Sequence, residues 1–173
     1  MKRISVILML MLQQLVYAGS NSEKIGDVLS FAIPAIAYGS TYYFDDEEGR
    51  DQFYRSYGVT MVSTVLLKHA VREKRPDNDD RDSFPSGHTS SAVSGAVFMH
   101  KRYGFYAAIP MYLGAIYTGY SRVRSNRHYP RDVWGGALLG GLSSWYFTSE
   151  YKGIQITPKV NETYQGVQVK YDF

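Results

Sequence analysis

A stretch of twelve residues, Ser121–Asp132, carries the side chains needed for phosphoryl transfer through histidine. Pro130 favours a helix start, because its fixed φ and missing N–H suit the first helical position. His128 then lies just before the first turn, and Asp132 lies within it, four residues on. A docked anion would meet free backbone N–H groups there, with Arg122 adding a full charge. The pattern predicts a nucleophilic imidazole, a carboxylate that orients it and a guanidinium that binds an anion.

A basic segment earlier in the chain has the same anion-binding character. Lys68 and Arg75 are seven residues apart, which places both on one side of a helix. Two cations on one face can hold a phosphate, and Arg75 can bind it through two parallel hydrogen bonds. Taken alone, the segment is more typical of a basic, solvent-facing helix end, which the helix dipole favours.

The tetrapeptide from Pro85 to His88 is a third candidate. A turn that leads into a helix start presents backbone N–H groups, Gly87 lets the backbone approach a ligand closely, and Ser86 can donate its hydroxyl. His88 would then lie at the rim of the site with a proton to give. In isolation, a helix N-cap at Ser86 beside an incidental histidine explains the tetrapeptide equally well.

Together the three stretches resemble the signature of the type 2 phosphatidic acid phosphatase (PAP2) superfamily. That superfamily includes lipid phosphate phosphatases, bacterial class A acid phosphatases and vanadium haloperoxidases. All three parts occur in order between Lys68 and Asp132. The resemblance implies an all-α helical bundle and hydrolysis of phosphate esters without a metal or other cofactor.

The resemblance also implies a role for each residue of the signature. His128 attacks phosphorus and forms a phosphohistidine, and Asp132 accepts its other ring proton. His88 protonates the leaving oxygen and then activates water. The phosphate oxygens are held by Lys68, Arg75, Ser86, Gly87 and Arg122. His69 and His100 match no position of the signature and are interpreted as ordinary structural residues.

The chain divides into three predicted parts. Residues 1–18 have a basic start, an apolar run and a small residue at Ala18, which together predict a cleaved secretory signal peptide. Residues 19–152 form the predicted helical phosphatase domain. Residues 153–173 alternate in polarity and predict a short β-hairpin tail.

Within the domain the spacing of apolar residues predicts about five to six helices. We expect Pro34 to kink or end the first helix. The charged residues 45–51 are expected to form a solvated connection or a helix start. The later helices are predicted over residues 52–74, 88–100, 103–120 and 133–149, with a solvated acidic loop at 77–82.

Composition narrows the partners and the location. A formal net charge of +3 is too small to indicate a nucleic-acid partner. Three segments approach the length of a membrane span, whereas the other helices are too short or too polar. We therefore expect an exported, periplasmic protein that is soluble or lies against a membrane surface, and insertion into the bilayer stays open. The oligomeric state is not predicted.

The leading functional hypothesis is a phosphatase acting on lipid-linked phosphomonoesters or diphosphates. Candidate substrates are phosphatidate, phosphatidylglycerol phosphate, polyprenyl diphosphate and a lipid A phosphate. A broad-range soluble acid phosphatase is the alternative. A vanadate-dependent haloperoxidase and a non-catalytic binding protein are the remaining hypotheses.

Overall fold

The computed structural model describes residues 22–151, 154–160 and 165–171. This part of the chain contains five α-helices and confirms the predicted all-α bundle. The predicted signal peptide, residues 1–18, lies outside the described residues. The helices are α1 Ser22–Tyr43, α2 Glu47–Val71, α3 Gly87–Tyr103, α4 Phe105–Arg124 and α5 Pro130–Phe147.

The tail after the bundle is described only by its backbone. Its two strands, β1 Ile154–Val160 and β2 Gln165–Tyr171, pair antiparallel, with Ile156 opposite Val169. The side chains of this segment lie outside the described residues. The hairpin assignment for residues 153–173 therefore stays a prediction, and the functional site is formed by the helices and their connections.

Helix α3 is the centre of the bundle. It packs against α1, α2, α4 and α5, and most of its residues between Thr89 and Met99 are buried. Serine, alanine and glycine predominate on this helix, so its neighbours approach its backbone closely. Larger apolar side chains fill the remaining space in two clusters, one around Phe53 and Phe98 and the other around Ile33. In the described part of the chain, no helix combines the length and apolar character needed to cross a membrane.

Two glycines of α5 set the closest helix contact, which is with α3. A β-carbon on Gly136 would lie 2.5 Å from the carbonyl oxygen of Ser86. One on Gly140 would overlap the carbonyl oxygen of Ser90 and lie 3.0 Å from the amide nitrogen of Ser94. Since those neighbours are backbone atoms, they cannot move aside as a flexible side chain can. The contact therefore fixes the position of the N-terminal turn of α3.

We expect Gly140→Ala to lower the free energy of unfolding by about 1–3 kcal/mol, because the added methyl group overpacks a backbone contact. Gly141→Ala is the matched control, since a β-carbon there meets only Val93 Cγ1, at 3.8 Å. That variant should be neutral or more stable by up to about 1 kcal/mol, owing to the better helix propensity of alanine. Thermal unfolding of both variants tests the contact. Equal stability of the two would show that α3 and α5 are not packed as described.

Pro34 does not end the first helix, and the predicted break is wrong. Helix α1 continues to Tyr43, with Pro34 buried inside it. A proline in a helix leaves the carbonyl four residues earlier without its usual donor. Here that carbonyl belongs to Ser30, and the Ser91 hydroxyl on α3 donates a hydrogen bond to it at 2.6 Å. A tertiary contact thus replaces the missing helical bond.

The charged residues 45–51 contain a helix start, as expected, but one of them, Asp46, is buried rather than solvated. Asp46 is the N-cap of α2, where its carboxylate accepts a hydrogen bond of 2.9 Å from the Gly49 N–H. Asp46 is buried, and its carboxylate forms a two-point ion pair with Arg102, at 2.5 and 2.7 Å. The Arg102 guanidinium also donates to the carbonyls of Ser149 and Glu150. This cluster joins α2, α3 and the segment that follows α5, and it contains no residue of the three sequence motifs.

Candidate active site

A cleft of about 240 Å³ opens between α1, α2 and α3. Five of the eight predicted site residues line it: Lys68, Arg75, Gly87, His88 and His128. Ser86, Arg122 and Asp132 are buried. The remaining lining residues are Ser30, Phe31, Tyr57, Met61 and Ser91.

His128 lies in the connection between α4 and α5, where it is held by Asp132 and Ser83. The backbone N–H of His128 donates to the carbonyl of Arg122, which folds the connection back on α4. Its Nδ1 is 3.6 Å from Oδ2 of Asp132 and 3.4 Å from the Ser83 hydroxyl. Ser83 in turn donates to Oδ2 of Asp132 at 2.6 Å, and the Tyr129 N–H donates to the same oxygen at 2.9 Å. Because Nδ1 faces this buried network, Nε2 is the ring nitrogen available to the cleft.

The surroundings keep the His128 imidazole neutral. Burial lowers the pKa of His128 to about 4, and the charges of Lys68 and Arg75 act in the same direction, while Asp132 opposes them. A neutral imidazole has a lone pair on one ring nitrogen and can act as a nucleophile. The electrostatics therefore suit the nucleophilic role predicted from the sequence.

Lys68 and Arg75 both reach the cleft, but they do not share a helix as predicted. Helix α2 ends at Val71, because Arg72 adopts a left-handed conformation with φ of 52° and its N–H donates to the Lys68 carbonyl. Arg75 follows in the connection to α3. The chain turns back there, since the Arg75 N–H donates to the Asp80 carbonyl at 2.9 Å.

Asp82 accepts hydrogen bonds from both Lys68 and Arg75. Its carboxylate accepts hydrogen bonds from Nε and Nη2 of Arg75, at 2.6 and 3.0 Å, and its carbonyl accepts one from Nζ of Lys68. Burial lowers the pKa of Lys68, although the nearby Asp82 opposes this effect. The loop 77–82 is thus not merely solvated, because the carboxylate of Asp82 forms an ion pair with Arg75, the predicted phosphate-binding arginine.

The N-terminal turn of α3 places Gly87 and His88 at the cleft. The Ser86 N–H donates to the Asp132 carbonyl at 2.9 Å, which ties this turn to α5. Gly87 lines the cleft, as a phosphate-binding backbone requires. The Ser86 hydroxyl, in contrast, is fully buried and accepts a hydrogen bond of 3.0 Å from Thr89. Ser86 therefore shapes the turn, and its hydroxyl is not among the cleft-lining groups.

His88 and Arg122 meet at the carboxylate of Asp27 on α1. Nε2 of His88 is 3.1 Å from Oδ1 of Asp27, and Nη1 of Arg122 donates to the same oxygen at 2.7 Å. Arg122 also donates to the Ser121 hydroxyl and to the Glu23 carbonyl, at 3.2 and 2.6 Å. Burial and the Arg122 charge lower the pKa of His88, while Asp27 opposes them.

Sequence reasoning missed three residues that contact the predicted site: Asp27, Asp82 and Ser83. Asp27 precedes an uncharged run from Val28 to Phe44, and an acid at the edge of such a run is a weak signal. Asp82 and Ser83 lie next to the tetrapeptide at 85–88, but nothing in their spacing indicates a contact with Arg75 or Asp132. These contacts arise from the way the helices pack.

A sequence model of the PAP2 superfamily matches residues 52–154, which is more than half of the chain. The chain belongs to the PAP2 superfamily. The predicted membership is thereby confirmed, and the match includes all eight predicted site residues of the PAP2 signature.

Two curated PAP2 relatives are similar over most of this chain. The lipid A 1-phosphatase of Porphyromonas gingivalis is 34% identical over 74% of the chain, and the match spans 32% of that protein. The lipid A 4'-phosphatase of Helicobacter pylori is 30% identical over 83% of the chain and 79% of its own length. The chain therefore spans about a third of the first relative. The predicted enzyme class, a phosphoric ester hydrolase, agrees with the names of both PAP2 proteins.

A similar fold is found in a solved structure. The crystal structure of Aquifex aeolicus LpxE matches 80% of this chain and 93% of its own, with a TM-score of 0.63 and 21% identity. At that identity the likeness concerns the fold alone. It shows that the helical bundle described above resembles the fold of that protein.

Proposed function

We propose that this chain is a PAP2-type phosphatase that hydrolyses lipid-linked phosphomonoesters or diphosphates. The observation that carries the proposal is the cleft itself. It is lined by two histidines and two cations, and one of the histidines, His128, is buried against the carboxylate of Asp132. An arrangement of this kind can bind a tetrahedral anion, attack it and protonate a leaving group.

In the first step, Nε2 of His128 attacks phosphorus and forms a P–N bond, while the P–O bond to the leaving group breaks. His88 gives its Nε2 proton to the departing oxygen, so that an alcohol or a shorter phosphate leaves. Asp132 and Ser83 hold Nδ1 of His128 and stabilise the positive charge that develops on the ring. Lys68, Arg75 and the Gly87 N–H stabilise the phosphoryl oxygens.

In the second step, water attacks the phosphohistidine. The now neutral His88 takes a proton from the water, the P–N bond breaks, and inorganic phosphate leaves with His128 restored as neutral imidazole. Before the first step, the phosphate must share or replace Asp82 at Arg75, because that carboxylate already holds two N–H donors of the guanidinium.

The outer surface of the helices supports a lipid substrate. Large apolar side chains face outward on α1, α4 and α5, including Phe31 and Trp134, each 71% exposed, and Ile116, which is 69% exposed. Phe31 also lines the cleft. Exposed apolar side chains in such number are typical of contact with a membrane or another apolar partner. We propose that this surface lies against lipid, so that the acyl part of a substrate can reach the cleft along α1.

The two curated relatives favour a lipid A phosphate among the candidate substrates, since both are named lipid A phosphatases. Other relatives are named for prenyl-linked substrates, such as the undecaprenyl-diphosphatase of Bacillus subtilis, which is 29% identical over 98 residues. The substrate class proposed here is therefore a phosphate or diphosphate on a long lipid, with lipid A as the first candidate to test.

The decisive experiment compares a long-chain lipid phosphate with its short-chain analogue, using purified protein in mixed micelles. We expect a clearly higher kcat/KM for the long-chain substrate, because its chains contact the apolar surface. His128→Ala serves as the background control. Equal efficiency on both substrates would replace the lipid proposal by the broad-range acid phosphatase.

The pH dependence should be bell-shaped with an optimum on the acid side. The nucleophile must be neutral and the acid must be protonated, so kcat/KM rises through the pKa of His128 and falls through that of His88. The first is lowered to about 4 and the second lies below its usual value of 6.5. The rising limb near pH 4 is diagnostic, because it lies below the second ionisation of a phosphate ester, near pH 6. A rate that is still rising with pH above 6 would contradict this assignment.

We further propose that the protein is exported to the periplasm. Support comes from the sequence of residues 1–18, which has the basic, apolar and small-residue regions of a signal peptide. Fusing these residues to a reporter that is active only after export tests the proposal. Retention of the reporter in the cytoplasm would refute it.

A further inference from the structure

Asp27 on α1 contacts two residues of the signature although it belongs to none of the three motifs. Its Oδ1 lies 3.1 Å from Nε2 of His88 and accepts a hydrogen bond of 2.7 Å from Nη1 of Arg122. The Asp27 side chain is 43% exposed, and the His88 side chain is 37% exposed. The carboxylate is therefore accessible to solvent and lies next to His88, which lines the cleft.

We propose that Asp27 is a positioning residue for the proton donor of the reaction. Its carboxylate holds the His88 imidazole at the wall of the cleft with Nε2 directed to where the leaving oxygen arrives. This inference rests on the proposed phosphatase function, and it adds to the site a residue from α1, which lies outside the segment matched to the superfamily, 52–154.

The charges around His88 explain why the proton donor needs a carboxylate. Three cations on different elements act on it: Arg122 on α4, Lys68 on α2, and Arg75 in the connection before α3. Each of them disfavours a positive charge on the His88 ring, and burial does the same. His128 is a further basic group of the same cleft. Asp27 is the acid that acts on His88 in the opposite direction.

The two partners of Asp27 depend on it unequally. Arg122 keeps its position through two other hydrogen bonds, to the Ser121 hydroxyl and the Glu23 carbonyl. Among the described residues, Asp27 is the one hydrogen-bonding or ionic partner of the His88 side chain. Removal of the Asp27 charge should therefore affect proton donation by His88 more than the position of Arg122.

The exposure of Asp27 allows the substrate to take its place. When an ester binds, its leaving oxygen can accept the Nε2–H bond that Asp27 accepts in the free protein. The proton then passes from Nε2 to the leaving oxygen as the P–O bond breaks, and Asp27 stays ionised throughout. Asp27 thus orients the donor and keeps it charged, without taking part in the transfer itself.

The experiment uses Asp27→Asn in the full-length protein, with Glu23→Gln as the matched control. Glu23 lies one turn earlier on α1, and its carboxylate contacts Arg127 rather than His88. With an alkyl phosphate, which needs protonation of its leaving group, kcat/KM of Asp27→Asn should fall on the order of 10- to 100-fold. With an aryl phosphate, which leaves readily unprotonated, it should change less than about threefold. Equal losses on the two substrates would overturn the proposal.

A second measurement does not depend on turnover. NMR titration of the histidine rings gives the pKa of His88, assigned by the loss of its signal in His88→Gln. We expect a lower midpoint in Asp27→Asn than in the wild-type protein, and no change in Glu23→Gln. An unchanged midpoint in Asp27→Asn would also overturn the proposal. A wild-type protein that hydrolyses no phosphate ester would instead refute the proposed function, while the titration would still report on the contact between Asp27 and His88.

Discussion

Replacing His128 with alanine is expected to reduce turnover of every phosphate substrate by at least about 10⁴-fold, the scale seen when a covalent nucleophile is removed. The alanine variant has no group that can form the P–N bond. A substrate with a better leaving group therefore cannot restore its activity. The loss should be the same for alkyl and aryl phosphates, which distinguishes the nucleophile from the proton donor. Steady-state assays on both substrate classes give the measurement.

His69→Ala is the control for this experiment. His69 is exposed on α2, and its Nδ1 is 2.8 Å from the Val65 carbonyl of the same helix. It should retain full activity. Rapid quenching with a labelled substrate should also trap a phosphoprotein in the wild type that survives base and is lost in acid, as expected for a P–N bond. Substantial activity in His128→Ala would exclude the phosphohistidine mechanism.

The largest effect on stability is expected at the buried pair of Asp46 and Arg102. Asp46→Asn removes one charge from an ion pair whose side chains are each 2% exposed, and among the described residues it leaves the buried Arg102 guanidinium with only the exposed Glu48 carboxylate, at 3.3 Å, as a counter-ion. Loss of one member of such a pair typically costs about 3–5 kcal/mol. Burial acts to raise the pKa of Asp46, but the hydrogen bonds from Arg102, Gly49 and Tyr103 hold it below the usual value. Chemical unfolding of the variant measures the change.

Asp45→Asn is the matched control, because the neighbouring acid is exposed and adopts a φ of 50°, which asparagine tolerates well. The free energy of unfolding of this variant should stay within about 0.5 kcal/mol of the wild type. If Asp46→Asn were no less stable than Asp45→Asn, the contact between Asp46 and Arg102 would not stabilise the packing of α2 against α3.

The sequence was sufficient to predict a helical bundle and five of the ten residues that line the cleft. The start of α5 was predicted from Pro130, and its observed first residue is the same. Local sequence signals for a helix start determine the positions of nearby residues. Those residues are His128, Asp132 and Gly87. The resemblance then indicated that Lys68 and His88 share one site with them, and both line the same cleft.

Contacts that depend on packing were beyond the reach of the sequence. Asp46 and Arg102 are 56 residues apart, and Asp27 and Arg122 are 95 apart. Charge alone does not indicate which acid meets which base over such distances. Arg75 was placed on the wrong element because its spacing from Lys68 fits a helix, whereas the left-handed conformation of Arg72 ends α2 earlier. Pro34 was misjudged because its compensating donor, Ser91, is on another helix.

The hydrogen bond from Ser91 has a practical meaning for anyone who wishes to redesign substrate preference. Ser91 lines the cleft beside Tyr57, whose hydroxyl lies 2.8 Å from it, and a smaller or apolar residue there is an obvious way to enlarge the opening. That change would also remove the hydrogen-bond donor to the Ser30 carbonyl, which Pro34 leaves without a helical partner. Variants intended to accept a wider range of substrates should therefore change Met61 or Phe31 and keep Ser91.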